Sequence, residues 1–380
     1  MFKCGNGVYA VLADGTGCTF DGEHKPCIID ESVVEAKGCQ VTGKVLVRCS
    51  SNRFILRTGR CTRGLDNDGF DLTDEIRRAL WPLEIGFGDI IEFSISENDV
   101  TIRTKRVLIH LDRYPHEPAK IRNHLFKTEI DLMSTKSTNS LIRTVGNQLY
   151  HADLVSRFGD IYQVEIADPD KVHQVLIDRA VAVLLMTDGS VYAHLFQLRN
   201  SALRFKPLMS IQTEIITKIV DWIGHYLFLA ESGSCYHAHG LPIDHYSIYN
   251  PQHIQSLARY RIEDIFFVCN YCIFVHDGGS LCALNLRYDG RVDAPIPLPY
   301  FDDKHIVNVV PMGNSNCALE TQILYMLEQT GSVHMCRLTT GQEPVIERLT
   351  FFDANPVAVE YDRCQTIRSA QMCSKPKDLL

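Results

Sequence analysis

Three segments of the chain align with one another without a gap, and this internal repeat constrains the fold more than any other feature. The segments are Val172–Tyr192 (VHQVLIDRAVAVLLMTDGSVY), Ile216–Tyr236 (ITKIVDWIGHYLFLAESGSCY) and Ile262–Cys282 (IEDIFFVCNYCIFVHDGGSLC). Each begins with an aliphatic residue, has a second one three positions later, and reaches a Gly-Ser pair seventeen positions after its start. The repeat length is about 44 residues, which is the distance between the turn glycines of the first two segments.

Each repeat has the pattern of a β-hairpin. Asp188-Gly189 is a strong turn dipeptide, because glycine accepts a positive φ at no steric cost. The run Val181–Met186 is continuously apolar rather than alternating, which indicates a strand that is covered on both faces. Strands stacked between neighbouring blades are covered in this way, so the repeat predicts an all-β, closed β-propeller. The alternative is a pair of β-sandwiches with coincidental periodicity.

Weaker copies extend the repeat in both directions. They predict turns at Gly15, Gly59, Asp99 and Gly159 before the aligned segments, and at Gly331 and Asp362 after them. The spacing of these turns predicts about seven blades, with six or eight as alternatives. The chain is predicted to start with the hairpin of a blade over Gly7–Phe20, which a late strand over Val357–Glu360 completes.

A predicted helix interrupts the repeat in the N-terminal half. The irregular stretch 62–81 ends in a helix over Leu72–Trp81, with Thr73 as its N-cap. An apolar stripe along this helix is formed by Ile76, Leu80 and Trp81. The stripe is predicted to pack over a blade edge. The alternative is a partner-docking element in which Ile76 and Trp81 make the contact.

A polar stretch, 104–140, is the second departure from the repeat. It is predicted to be a basic loop inserted in the N-terminal half, either a solvated connection or an arm for an acidic partner, since loops on a rigid scaffold often carry function. The cations of this arm are Lys105, Arg106, Arg113, Lys120, Arg122 and Lys127. A single propeller domain is therefore predicted over 1–373, with a disordered tail over 374–380.

The repeat resembles the blade of the regulator of chromosome condensation family, whose hairpins carry an Asp/Glu-x-Gly-x-Val-Tyr motif. Thr187–Tyr192 matches this hairpin, and Glu231–Tyr236 matches it in part. The family's tail, Trp-Gly-x-Asn-x-x-Gly-Gln-Leu-Gly, is absent, and the two tryptophans, Trp81 and Trp222, lie elsewhere. The resemblance implies a seven-bladed propeller for protein–protein recognition, which in some members promotes nucleotide exchange on a small GTPase. No functional residue carries over by motif.

Composition limits the classes of partner and compartment. A net charge of −8 argues against a general nucleic-acid binder. The N-terminus lacks the pattern of a secretory signal, and the longest strictly apolar stretch, Ala180–Met186, is far short of a membrane span of about 20 residues. The sequence therefore predicts a soluble protein of the cytoplasm or nucleus, without a membrane partner. Its fourteen cysteines are predicted to be reduced and buried, with a disulfide scaffold as the alternative.

One constellation has the residue types of a metal site. Cys235, His237 and His239 alternate along a predicted strand, so their side chains lie on one face with neighbours about 7 Å apart. Zinc takes such ligands, but strong zinc motifs contain a second ligand pair, and the sequence has none here. The favoured interpretation is therefore surface or satisfied polar residues, with metal binding as the alternative.

The chain contains no Walker loop, nucleophile elbow or zincin helix, so no catalytic residue and no cofactor is predicted. The sequence predicts a non-catalytic interaction propeller that acts as an adaptor or as a subunit of an intracellular complex with protein partners. Two alternatives stay open. One is a guanine-nucleotide exchange factor for a small GTPase, and the other is a propeller enzyme with a site in the central channel.

Overall fold

The computed structural model is an eight-bladed, all-β propeller with one short α-helix, so the predicted fold class is confirmed and the predicted count of seven blades is wrong. Each blade is an antiparallel sheet whose strands follow one another in the chain. The structure describes residues 1–4, 7–12, 14–20, 27–39, 42–58, 69–96, 99–112, 120–136, 139–153, 161–166, 168–177, 181–195, 203–208, 211, 213–222, 225–239, 251–268, 271–286, 292–311, 321–339 and 341–349.

Blades 1 to 4 contain four consecutive strands each, and the helix follows blade 2. In chain order they are β1 (Phe2–Cys4), β2 (Gly7–Val11), β3 (Gly17–Phe20) and β4 (Cys27–Asp30); β5 (Val33–Cys39), β6 (Lys44–Cys49), β7 (Phe54–Arg57), β8 (Gly69–Asp71) and α1 (Thr73–Leu80); β9 (Glu92–Ile95), β10 (Asp99–Arg103), β11 (Val107–Asp112) and β12 (Lys120–Leu125); and β13 (Ile130–Lys136), β14 (Asn139–Thr144), β15 (Leu149–Asp153) and β16 (Ile161–Glu165).

Blades 5 to 8 repeat this plan. They contain β17 (Val172–Ile177), β18 (Val181–Met186), β19 (Val191–Leu195) and, after the short strand β20 (Leu203–Arg204), β21 (Lys206–Pro207); β22 (Ile216–Trp222), β23 (His225–Ala230), β24 (Cys235–His239) and β25 (Gln252–His253); β26 (Ile262–Val268), β27 (Tyr271–His276), β28 (Ser280–Asn285) and β29 (Ile296–Pro297); and β30 (Ile306–Pro311), β31 (Thr321–Glu328), β32 (Val333–Thr339) and β33 (Val345–Leu349). The strand β20 pairs with β16 as a fifth strand of blade 4.

Two hairpin turns with asparagine in place of glycine at the left-handed position explain the wrong blade count. The β6–β7 turn places Asn52 at φ 59°, and the β14–β15 turn places Asn147 at φ 55°. Asparagine enters this left-handed region more readily than most residues, because its short side chain bonds locally. Asn147 precedes Gly189 by 42 positions, so these two blades keep the repeat length. The predicted turn at Asp99 is wrong because Asp99 begins β10.

The two ends of the predicted repeat also need correction. The strand β1 supplies the first strand of blade 1, so the predicted half-blade over Gly7–Phe20 is wrong. The repeat copy with a predicted turn at Asp362 would begin at residues 346–349, but these belong to β33, the last strand of blade 8. The turns predicted at Gly59, Gly159 and Asp362 and the strand predicted over Val357–Glu360 lie outside the described residues.

A bulge in the first strand of each repeat explains the two aliphatic residues three positions apart. In a regular strand such residues face opposite sides of the sheet. Here the register of β17 shifts between Val172 and Gln174, and an extra residue puts both Val172 and Val175 into the core. The same shift follows the first paired residue in five other blades, at Val33, Ile130, Ile216, Ile262 and Ile306.

The turn glycines of the repeat contact the blade that follows. The carbonyl of Gly189 accepts a hydrogen bond from the N–H of Ile216 at 3.1 Å, and Gly233 accepts one from Ile262 at 3.1 Å. A Cβ atom at Gly189 would lie 2.6 Å from the side chain of Ile215 and 2.9 Å from its Cα. The Gly-Ser pair of the repeat is therefore a blade-to-blade contact as well as a turn.

Buried arginines connect blades in the N-terminal half. Arg57 of blade 2 donates to both carboxylate oxygens of Asp30 in blade 1, and the Tyr9 hydroxyl donates to the same carboxylate at 2.9 Å. Two glycines leave the necessary room, because a Cβ at Gly17 would lie 2.1 Å from the Tyr9 oxygen and one at Gly69 would lie 2.4 Å from an Arg57 nitrogen. Burial and the Asp30 charge raise the pKa of Tyr9, so it stays a donor.

The chain divides into two compact units, one with blades 1, 2 and 8 and α1, the other with blades 3 to 7. In the first unit, Val8 and Ala10 of β2 share one apolar cluster with Tyr325 and Leu327 of β31. The Asn308 side chain of β30 donates to the Met1 carbonyl at 3.2 Å. The first and last blades of the chain are therefore neighbours.

The predicted helix is confirmed, but its cap is different. Leu72 is the N-cap and provides no side-chain hydrogen bond, so the predicted role of Thr73 is wrong. Asp71 accepts from the Thr73 N–H at 2.9 Å instead, and the Thr73 hydroxyl accepts from the Phe54 N–H at 3.0 Å. In the part of the chain that the structure describes, no helix is long and apolar enough to span a bilayer.

The predicted basic loop over 104–140 is wrong, because these residues form strands of two blades. They include β11, β12 and β13, and the described part of the stretch belongs to blades 3 and 4. The stretch looked like a loop because β12 is the outermost strand of its sheet, where polar side chains meet solvent.

Gly189→Ala should destabilise the protein more than Gly278→Ala. Both glycines have similar positive φ values, 81° and 84°, but a Cβ at Gly278 meets nothing within 4 Å. We expect a loss of about 1 kcal/mol for Gly278→Ala from backbone strain alone, and about 3 kcal/mol for Gly189→Ala from strain and the clash with Ile215. Urea unfolding measures both. Equal losses would show that the contact with the next blade contributes nothing.

Candidate functional site

Three of the six predicted cations converge at one end of blades 3 and 4. Lys105 and Arg106 form the β10–β11 turn, and Lys127 lies in the connection between β12 and β13. The Arg106 carbonyl accepts from the Phe126 N–H at 2.8 Å, and the Arg106 guanidinium donates to the Lys127 carbonyl. We call Lys105, Arg106 and Lys127 the basic ridge. All three side chains are exposed.

Two exposed aliphatic side chains adjoin the basic ridge. Leu125 ends β12 and is 77% exposed, and Val145 begins the β14–β15 turn and is 62% exposed. The Val145 N–H donates to the Glu129 carbonyl at 2.8 Å, and the Glu129 carboxylate lies 4.0 Å from the Lys105 amine. Exposed aliphatic residues that adjoin several cations and one acid are typical of a surface for an apolar and acidic partner.

The remaining predicted cations lie farther along the same strand. Lys120 and Arg122 belong to β12, where they pair with Asp112 and His110 of β11. Five residue steps of β12 separate Lys120 from Leu125, a distance of about 17 Å. Arg113 lies outside the described residues. In place of the predicted basic loop, the structure therefore has a cationic strand, β12, that ends at the basic ridge.

The charge of this strand acts on a buried histidine. His110 is 2% exposed and pairs with Arg122 across the sheet. Burial, followed by the positive charges of Arg122 and His124, lowers the pKa of His110 to about 4. Asp99 lies 3.6 Å from the His110 ring, and the Thr101 hydroxyl lies 3.5 Å from its Nδ1. The imidazole is therefore neutral at pH 7.

Stability should fall as the pH drops through the titration of His110. The unfolded chain takes up this proton near pH 6.5 and the folded protein near pH 4, so the contribution of His110 is complete above pH 6.5 and is lost below it. We expect a loss of about 3 kcal/mol at pH 4 from this residue. Urea unfolding against pH measures it, and His110→Asn should flatten the profile.

The cause of the shift can be tested separately. Arg122→Gln removes one of the positive charges near the imidazole, so it should raise the pKa of His110 in an NMR titration. An unchanged pKa in this variant would show that the charge of β12 does not reach His110.

The two helix residues predicted to contact a partner occupy opposite environments. Ile76 lies on the buried face of α1 and has no exposed surface, whereas Trp81 is 79% exposed. The exposed guanidinium of Arg77 lies 5.7 Å from the centre of the Phe87 ring, and Arg78 is exposed one turn before Trp81. Trp81 is therefore an exposed indole with cations beside it, and Ile76 belongs to the core.

Ile76→Ala and Trp81→Ala should separate these two roles. We expect Ile76→Ala to lower the free energy of unfolding by about 3 kcal/mol, because it opens a cavity in the core. Trp81→Ala should change it by less than about 0.5 kcal/mol, because the indole contacts mainly solvent. Urea unfolding of both variants is the measurement. A large loss for Trp81→Ala would show that the indole packs on the fold in solution.

One member of the predicted metal constellation, His237, pairs with His225 of the preceding strand, which the sequence did not predict. Nδ1 of His225 and Nε2 of His237 lie 3.0 Å apart, with the rings within 13° of parallel and their centres 5.3 Å apart. These values fit two nearly coplanar rings whose nitrogens share one N–H. A zinc ion needs about 2.0 Å to each nitrogen and does not fit on the line between them. The sequence pattern shows only that His237 alternates with Cys235 along β24. It does not show that His237 pairs with a histidine of β23.

The other members of the predicted constellation are Cys235 and His239. Burial raises the pKa of the Cys235 thiol, which keeps it protonated. The backbone of His239 lies opposite His225. Among the described residues, no group of three or more His, Cys, Asp or Glu side chains could hold a metal ion. Cysteines 4, 18, 39, 49, 235, 272, 282 and 336 are reduced, and all but Cys39 are buried, as predicted.

Blade 8 contains a polar cleft of about 380 Å³ that the sequence analysis also missed. The buried His334 lies 3.1 Å from the Glu328 carboxylate through Nε2 and 3.4 Å from the Tyr300 hydroxyl through Nδ1. Burial lowers the pKa of His334, so a neutral imidazole bonds both groups. The rest of the lining is Asp303, Lys304, Thr330, Ser332 and Arg348.

A signal for this cleft is present in the repeat. Gly331-Ser332-Val333-His334 aligns with Gly189-Ser190-Val191-Tyr192, so His334 occupies the position of the hairpin tyrosine. In blade 6 the tyrosine at this position, Tyr236, donates to Glu214 at 2.9 Å. The cleft is thus a variant of a polar contact present in another blade, and its acids and bases are largely paired with one another.

Comparison with known proteins finds similar solved structures but no family. No family model and no curated protein matches the chain. Among solved structures, Prp20p from Saccharomyces cerevisiae matches with 12% identity over 89% of this chain and 89% of that chain, at a TM-score of 0.48. Human WBSCR16 matches with 10% identity over 75% of this chain and 86% of that chain, at a TM-score of 0.46. Kluyveromyces lactis Hsv2 matches with 10% identity over 66% of this chain and 75% of that chain, at a TM-score of 0.45.

The antiparallel sheets that follow one another along the chain define the class of protein as a divergent repeat β-propeller. One similar structure is described as yeast RCC1 (Prp20), which bears the name of the family that the repeat resembles.

Proposed function

We propose that the chain is a non-catalytic interaction propeller of the cytoplasm or nucleus, an adaptor or subunit that binds a protein partner through the basic ridge. The observation that carries this proposal is the convergence of Lys105, Arg106 and Lys127 beside the exposed side chains of Leu125 and Val145. Apolar contact supplies affinity at such a surface, and the cations select acidic partners and accelerate encounter.

The chemistry of the buried polar groups also supports binding rather than catalysis. His225 and His237 bond each other, and His334 bonds Glu328. A catalytic base needs an accessible nitrogen near a substrate atom. These imidazoles instead satisfy buried partners within their own blades, which is the role of a structural hydrogen bond.

Charge reversal of the basic ridge should abolish partner capture. Lys105→Glu with Lys127→Glu changes the charge of the ridge by four units and keeps the backbone bonds of the turn. We expect at least about a tenfold loss of the captured partner in affinity purification with mass spectrometry from the native cell. Lys171→Glu with Arg259→Glu is the matched control, because both residues are exposed on other blades of the same unit.

Two results would contradict the proposal. One is the absence of any protein that the unmodified chain retains at physiological salt. The other is equal capture by the ridge variant and the control. Circular dichroism and urea unfolding of both variants show whether a loss of capture comes from loss of structure.

A further inference from the structure

The strand that leads into the basic ridge, β12, is an unusually long outer edge strand among the strands that the structure describes. β12 has six residues and is the last strand of its sheet. In the described part of the chain, the corresponding outer strands β4, β8, β16, β21, β25, β29 and β33 have between two and five residues. A long edge strand presents a row of backbone donors and acceptors that another strand can pair with.

The register identifies the backbone groups that face outward. The Phe126 N–H donates to the Arg106 carbonyl, and the pairs of β11 and β12 continue this register. Antiparallel partners exchange hydrogen bonds at every second pair, so Arg122 and His124 bond to β11. The backbone N–H and C=O groups of Ile121, Asn123 and Leu125 therefore point away from the sheet. Ile121 is 40% exposed, and Leu125 is 77% exposed.

The neighbouring blade provides a precedent for strand addition. In blade 4 the short strand β20 pairs with the outer strand β16 in parallel, through Val164 with Leu203 and Glu165 with Arg204. The chain thus places a fifth strand on the outer edge of one blade. An added strand on β12 would use the same geometry, with six residues available rather than the two paired here.

The positive charge along β12 determines which kind of peptide would bind at this edge. β12 carries Lys120 and Arg122 and contains no acidic residue. The basic ridge adds three cations at its end, where Glu129 is the neighbouring acid that the structure describes, and Asp112 of β11 lies opposite Lys120. An extended peptide with acidic side chains complements this row of charges, and its aliphatic side chains would meet Leu125 and Val145.

We propose that an acidic, extended segment of a partner protein adds to β12 as a fifth strand of blade 3 and ends on the basic ridge. This inference rests on the proposed function and specifies the partner's chemistry. Backbone pairing requires a peptide, so it distinguishes this partner from an anionic membrane or a nucleic acid, which would use the cations alone.

Asn123→Pro tests the strand addition directly. Proline removes the N–H that points away from β11 and leaves the bonds between β11 and β12, and edge strands tolerate proline at such positions. Asn123→Ala is the matched control, because it removes the same exposed side chain and keeps the N–H. The probe is a fluorescein-labelled dodecapeptide of alternating Glu and Val, with a Gln and Val peptide beside it, and fluorescence anisotropy measures the Kd.

We expect Asn123→Pro to raise the Kd by about tenfold and Asn123→Ala by less than about twofold. The Gln and Val peptide should bind at least about tenfold more weakly than the acidic one. A second measurement covers the case in which Asn123→Pro does not fold. The acidic peptide with N-methyl groups on alternate residues cannot pair as a strand, so it should lose binding to the unmodified protein.

The outcomes separate this inference from the proposed function. Equal binding to Asn123→Pro and Asn123→Ala, or full binding of the N-methylated peptide, would overturn strand addition, while loss of capture in the ridge variant would still support the interaction surface. Equal binding of the acidic and neutral peptides would overturn the acidic partner. Tighter binding of phosphatidylserine vesicles or of a single-stranded oligonucleotide, with Asn123→Pro unaffected, would also overturn it.

Discussion

The contact between the hairpin turn of a blade and the first strand of the following blade, present in blades 1, 5 and 6, is the constraint on which the rest of the structure depends. A blade of four short strands cannot bury its own two faces, so it is stable only between neighbours. In blades 5 and 6 the turn glycine accepts a hydrogen bond from the next blade at Ile216 and Ile262, and its missing Cβ allows the close approach. The bulge that follows places two aliphatic side chains in the shared core.

In blades 3 and 4, arginine side chains make this contact with the following blade. Arg103 donates to the Ile130 carbonyl of the next blade at 2.8 Å, and Arg143 donates to the Val172 carbonyl at 2.6 Å. The corresponding position in blade 5 is the apolar Leu185, which lies one residue before the end of β18 as Arg143 does in β14. The Arg57–Asp30 pair joins blades 1 and 2 in the same way. Buried pairs need complete hydrogen bonding, which Tyr9 and the Ile29 carbonyl supply.

This difference explains how much of the fold could be predicted from the sequence. Blades 5 to 7 were predictable because glycine turns and apolar strands give a local signal at a constant spacing. Blades 2 to 4 were not, because Asn52 and Asn147 replace glycine in their turns and arginine replaces leucine in their strands. The fold class needed only the clear blades, whereas the blade count needed all eight.

The candidate site could likewise be predicted only in part from the sequence. The cations of the basic ridge were visible in the sequence, but their convergence depends on the two connections that bring Arg106 and Lys127 together. Leu125 and Val145 were not predictable, since only the sheet shows that these aliphatic side chains face solvent. The pairs His225–His237 and His334–Glu328 join residues on neighbouring strands, and a pattern read along a single strand does not detect them.

His110 connects the stability of blade 3 with its surface charge. The positive charge of β12 disfavours a proton on His110, and the same potential favours a carboxylate at the edge of the sheet. Linkage makes the two effects reciprocal: an acidic segment bound along β12 would raise the pKa of His110, and protonation of His110 would strengthen that binding. Below about pH 6.5, where the unfolded chain protonates this histidine, burial and the cations of β12 therefore lower the stability of the folded blade, and a bound acidic partner would reduce that loss.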